Sequence, residues 1–325
     1  MSRKKRRTKE KKKQHPSLAE IAQAGESRGT RFRYFTWLVI FFALAGLLLR
    51  IDVISPWPGA DAYTLWWGQR LDARAYLPTF WQSLLPLDEL WLLWRRLPSA
   101  LALVAAALLF YRWGKRLFGK PTVTYGLLAL AGSVWLPFFG KLAGADMLAL
   151  FAHLGWWLSI RFLYKTAETK WIVRTALFGV AACVLAPLST AILVGLLFAF
   201  DYLGGDRQWR PAVAWVAGLT LVAGFLRLVI GGWSPQLAAT DYFYGAGPVG
   251  GTGSLLLWSI IGLLPAVGFL VGGLRDLVFK LKRREELSLL LAGGLVAGLA
   301  AQSLLFSFLL VLVAGKQLQL YFRPN

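Results

Sequence analysis

Beyond residue 33 the chain alternates between long apolar runs and short polar connections, and the runs are about the length needed to cross ~30 Å of hydrocarbon. This pattern predicts nine transmembrane helices, over 34–50, 98–114, 121–139, 145–164, 171–186, 188–203, 211–231, 254–274 and 287–313. The fifth and sixth are short and are parted only by the turn at Pro187, which predicts a tight hairpin. The fold class is therefore all-α, a polytopic transmembrane helix bundle. No secretory signal fits, because the first hydrophobic segment starts too late and is too long.

Composition agrees with that pattern. Of 325 residues, 57% are hydrophobic and 16% charged, with a mean hydropathy of +0.55. A soluble fold cannot bury so much apolar surface, and disordered, collagenous and small disulfide-rich classes are excluded. The single cysteine, Cys183, lies in an apolar run, so no internal disulfide forms.

Charge then divides the chain and orients it. The net charge is +20, and residues 1–33 alone hold twelve basic and three acidic residues. Residues 1–33 read as a cytoplasmic tail that touches anionic lipid, each Lys or Arg near the surface contributing about 1 kcal/mol. Nucleic acid is not the expected partner, because the tail has neither interleaved aromatics nor a fold. With the tail inside, the inner loops hold Arg112, Lys115, Arg116 and Lys120, then Arg161, Lys165, Lys170 and Arg174, and later Arg275 to Arg284. The loop from Gly232 to Gly253 has no Lys or Arg. Residues 34–325 form the membrane domain, and a single bilayer with its acceptor outside fits a bacterial inner membrane, N-terminus cytoplasmic.

The first outer loop, 51–97, holds six of the sixteen tryptophans, a residue that prefers the headgroup boundary. Within it, 61–72 and 88–96 read as short amphipathic helices along the outer surface, the second stopped by Pro98.

Acidic residues are scarce enough to examine singly. An Asp at the bilayer centre costs about 2.5–3.5 kcal/mol, so it belongs in a polar cavity or at the interface. Asp146 opens the fourth span in KLAGADMLALF, and Asp61 opens the first surface helix in PWPGADAY. Either the two carboxylates face one outward cavity, one accepting a proton from an attacking hydroxyl, or both are helix caps at wet termini. His153 reads as a buried, hydrogen-bonded histidine rather than a metal ligand, and GAGPVG at 245–250 as a loop rather than a nucleotide motif. Gln302 is expected to make an interhelical hydrogen bond inside the last span.

The order of these elements, with RLPSALAL at 96–103, GKRLFGK at 114–120 and KLAGADMLALF at 141–151, resembles the GT-C glycosyltransferases. The likeness is to the branch with protein O-mannosyltransferases and the lipid A aminoarabinose transferase. It implies transfer of a sugar from a polyprenyl-phosphate donor to an outer-face acceptor. By that resemblance Asp61 is the base and Asp146 orients the acceptor, or the two hold a divalent cation. GKQLQLYF at 315–322 is similar to a Lys-x-x-x-x-Tyr stretch and implies phosphate contact for Lys316. Lys141, Arg50 and Arg227 are further cations near the outer headgroup plane that could hold the donor phosphate, although Arg227 also reads as a snorkelling side chain. The chain departs from the family at Ala62, where a second acidic residue is usual, and at LAPLST (185–190), where a lysine is common. The alternatives are a non-catalytic scaffold of the same fold, or a lipid or solute transporter.

Overall fold

The computed structural model describes residues 38, 91–133, 146–166, 168–186, 189–196, 218, 220, 222, 225, 252–264, 266–283 and 285–322. The chain divides after Val39. Of its first unit only Leu38 is described, helical and exposed; everything below concerns Ile40–Asn325. Among the described residues the fold is all-helical, with no strand.

Helix α1 runs Trp91–Leu109 and continues through a π turn, Phe110–Gly114, into Lys115–Leu117. It passes straight through Pro98. The stop expected at Pro98, and with it the separate surface helix 88–96, is therefore corrected. A proline keeps a helical φ and deprives only one carbonyl of its amide, whereas the turns after it bury Ser99, Ala100, Ala102 and Leu103. The π turn, a device that re-aims side chains, brings Phe110 edge-on to Phe308 at 5.2 Å. It also sets Trp113 among Phe162, Trp171 and Phe178. Gly119, at φ 85°, reverses the chain into α2, Lys120–Gly132, with Pro121 in its first turn.

Helices α3, Asp146–Thr166, and α4, Thr169–Leu185, form an antiparallel pair close to the fourth and fifth predicted spans. Phe162 stacks on Trp171, and a Cβ on Gly155 would strike the Phe178 ring. Arg161, expected in an inner loop, instead lies within α3 and is 2% exposed. Residues 189–196 are helical; most of 211–231 lies outside the described residues.

Two predicted spans are each two helices. The run 254–274 comprises α5, Thr252–Gly262, and α6, Val267–Lys282, bent by 116° around the break. The run 287–313 comprises α7, Glu286–Ala300, and α8, Leu305–Tyr321. α8 turns back along α7, since Gly298 meets Phe306 and Gly294 meets Leu309. The reversal is a Schellman turn: Ser303 N–H bonds the Gly298 carbonyl at 2.8 Å and Gln302 N–H the Leu299 carbonyl at 3.1 Å. Gln302 occupies the left-handed position at φ 49°. Gln302 thus sits in a turn and not within a span.

α8 is the central helix, buried on every side from Leu305 to Gly315. It lies antiparallel to α2, Thr122 bonding Gln319 at 2.6 Å and Gly315 meeting the Gly126 backbone. Among the described residues one helix, Arg96–Leu117, is long and apolar enough by itself to cross a membrane; Leu255–Gly262 and Val267–Lys282 qualify together as a bent pair.

The contact between Gly315 and Gly126 is one-sided in what it tolerates. A Cβ on Gly315 would lie 2.4 Å from the Gly126 backbone, which cannot yield, whereas a Cβ on Gly126 meets nothing closer than 3.6 Å. Gly315→Ala is therefore expected to destabilise the protein by about 1–3 kcal/mol. Gly126→Ala should be neutral, or stabilising by up to about 1 kcal/mol. Thermal unfolding of both variants in detergent checks this, and equal effects would contradict the packing.

Candidate functional site

The relative direction of the helices decides which predicted site residues meet. α1 and α2 are antiparallel, because Gly114 meets Val123 while Gly126 meets Phe110. α2 opposes α8, so α1 and α8 run the same way. α8 also runs with α3: Ser303 touches His153, and Gly294, which packs on Leu309, also meets Trp157 one turn further along α3. α1, α3 and α8 thus share a direction. Their far ends gather Arg112, Lys115, Arg116, Lys120, Lys170, Arg174 and Lys316, a basic end.

Asp146 stands at the opposite end. It is the first residue of α3, half-buried, where the positive end of the helix dipole favours a carboxylate. The Trp113–Phe162 contact, at 6.3 Å, fixes the register of α1 against α3. Arg96 lies seventeen residues back along α1 and Asp146 sixteen back along α3, so the two come level within about one turn. Arg96 is fully buried, at 0% exposure. The sequence reading placed this arginine in the last turn of a surface helix. The signal that could have singled it out is its position at the mouth of the apolar run that starts at Leu97.

Between the two ends, His153 ties three elements together. Its Nδ1 lies 2.8 Å from Ser303 Oγ and its Nε2 3.0 Å from Thr190 Oγ1. Thr190 spends its proton on the Ala186 carbonyl at 2.7 Å, so Nε2–H must be the donor to Thr190. Nδ1 then accepts from the Ser303 hydroxyl, and Ser303 Oγ in turn accepts Leu305 N–H at 3.2 Å. Both ring nitrogens are engaged, the ring is neutral, and no position is left for a metal. This agrees with the buried, hydrogen-bonded histidine expected from the sequence.

Lys316 is not brought to Asp146. It sits at the basic end, its Nζ 3.2 Å from Asp276 Oδ2, an atom that also accepts from Lys280 Nζ at 2.9 Å. At 1.5 Å per residue, the thirteen residues from Ser303 to Lys316 and the seven from His153 back to Asp146 separate them by about 30 Å along the bundle. Lys316 and Asp146 therefore lie at opposite ends of the described bundle, because the hairpin returns α8 to the basic end. Asp61, Arg50, Lys141 and Arg227 lie outside the described residues, as does the loop at 245–250. Among the described residues no three His, Cys, Asp or Glu side chains cluster as metal ligands. The single cysteine, Cys183, is buried with its Sγ 2.8 Å from the Thr220 carbonyl.

Compared with family models, curated proteins and solved structures, the chain matches none of them.

If the His153–Ser303 bond carries energy, the two residues are coupled. His153→Ala and Ser303→Ala should each lower the unfolding midpoint, and the double variant should cost less than their sum by about 0.5 kcal/mol or more. Strict additivity in that cycle would show that the bond contributes nothing.

Proposed function

We propose that this chain is a multi-pass membrane glycosyltransferase of the GT-C kind, with its reaction centre at the Asp146 end of the bundle. The observation that supports this reading is a half-buried carboxylate heading a 21-residue helix, level with a fully buried guanidinium and remote from the basic end. Burying an arginine is costly unless it is paired, so a carboxylate and a cation at one end mark a polar centre in an otherwise apolar bundle. The positive-inside rule assigns the basic end to the cytoplasm and the Asp146 end to the outer leaflet.

The chemistry asked of such a centre is simple. An acceptor hydroxyl attacks the anomeric carbon of a polyprenyl-phosphate sugar and passes its proton to the Asp61 carboxylate. The bond from that carbon to the phosphate oxygen breaks, and polyprenyl phosphate leaves with the electron pair. Asp146 orients the acceptor. Arg96, with Arg50, Arg227 and Lys141, supplies positive charge for the departing phosphate. Lys316 is not part of this centre.

The second reading, a scaffold of the same fold without catalysis, is favoured by a different observation. His153, a residue that catalysis could have used, spends both ring nitrogens on internal partners.

Sugar transfer by the purified protein separates the two. Asp61→Asn and Asp146→Asn should each abolish transfer from a polyprenyl-phosphate sugar while the yield in the membrane fraction stays at wild type. Arg96→Lys, which keeps the charge but loses the forked geometry, should lower kcat by about a hundred-fold. Full transfer by either Asn variant overturns the base and acceptor assignments, and an inactive wild type favours the scaffold.

A further inference from the structure

The geometry points to a binding site for the phosphate of an anionic lipid headgroup at the basic end, held by Lys280 of α6 and Lys316 of α8. Two ammonium groups converge there on one carboxylate oxygen, Asp276 Oδ2, at 2.9 and 3.2 Å. Asp276 neutralises one of them and Glu285 acts on Lys280 from the next turn, but Lys282 and Arg283 add two cations beside them, so the cluster keeps a positive charge. Each ammonium has three N–H donors, and the shared oxygen takes a single donor from each. The remaining donors are held in place but not sealed off, since the three side chains are between 22% and 29% exposed. Such a pair asks for a further anion bearing several acceptor oxygens, as a phosphodiester does.

The surroundings identify the source of that anion as a lipid. α6 is amphipathic: Val271 is 74% and Phe279 52% exposed, while Lys282 and Arg283 are exposed at its end. Apolar and aromatic groups beside a basic cluster are the signature of a helix lying at a bilayer surface, apolar side in the acyl region and cations at the headgroups. The end of α8 carries the same marker, with Tyr321 73% exposed and edge-on to Phe269 of α6. A soluble phosphate would have no use for these apolar groups, and an acidic protein would not require them beside the cations. This site rests on the membrane reading above and adds to it a cytoplasmic-leaflet contact remote from Asp146.

The test uses the full chain in detergent, with retention of phosphatidylglycerol and phosphatidylcholine read by native mass spectrometry. The wild type should retain phosphatidylglycerol in preference. Lys280→Gln/Lys316→Gln should bind it about thirty-fold more weakly, with Lys280→Arg/Lys316→Arg restoring affinity. Asp276→Asn, which removes the competing carboxylate, should bind at least as tightly as wild type; this variant keeps the site testable even if the double glutamine variant fails to fold. Unchanged affinity in a folded double glutamine variant overturns the site, as does weaker binding in a folded Asp276→Asn protein. Displacement of the lipid by inorganic phosphate or by an acidic peptide at equal concentration overturns the lipid assignment. Flotation with phosphatidylcholine vesicles separates the two levels: a wild type that does not float refutes the membrane reading, whereas one that floats but shows no lysine dependence refutes this site alone.

Discussion

A buried turn inside an apolar bundle must satisfy its own backbone, and the turn at 301–304 is where this protein meets that constraint. Water is not at hand to bond the carbonyls that end α7 or the amides that begin α8, and each unmet group would be costly. The Schellman bonds of Gln302 and Ser303 satisfy the α7 end, and Ser303 Oγ satisfies an amide of α8. His153 then fastens that hydroxyl to α3 and, through Thr190, to the helical segment 189–196. Much of the remaining arrangement follows from the reversal. α8 descends through the centre of the bundle, meets α2 at the glycine contact, and delivers Lys316 to Asp276.

The consequence for function is a separation of charge between the ends of the bundle. Arg96 and Asp146 stand at one end. Lysines and arginines from α1, α2, α4 and α8 gather at the other. A transferase that draws on a lipid-linked donor needs its carboxylates and phosphate-binding cations at the same leaflet. Among the described residues, Asp146 shares one end with the buried Arg96, whereas Lys280 and Lys316 share Asp276 at the basic end, where Arg161 is also buried.

Much of the helical architecture was legible in the hydrophobic pattern. The fourth and fifth spans, predicted at 145–164 and 171–186, appear as Asp146–Thr166 and Thr169–Leu185. The pattern misled where a run of the right polarity was not one straight element. The run 287–313 has 27 residues, which as a single helix would be about 40 Å long, some 10 Å more than the hydrocarbon needs. That surplus was the readable sign of a fold-back. Its position was not readable, because the turn uses Gln302 at a left-handed φ where glycine or asparagine is usual. Pro98 misled because it lies inside a continuous helix. The placement of Lys316 failed for a related reason: a short motif carries no information about sides, and one miscounted crossing exchanges outer for inner. Arg96 was overlooked because an arginine beside a tryptophan-rich segment looks interfacial, whereas it is buried.

The fold-back of α8 decides the side of everything after Ala300, so the side on which the last helix ends tests the account most directly. The measurement is labelling of single cysteines, introduced as Phe322→Cys and Arg116→Cys in a Cys183→Ser background, with a membrane-impermeant maleimide applied to sealed inside-out and right-side-out vesicles. Both positions are exposed at the basic end. The account predicts that they label from the same side, the cytoplasmic one. Labelling of residue 322 from the face opposite to residue 116 would show that 287–313 crosses the membrane once, contradicting the hairpin and the separation of charge built on it.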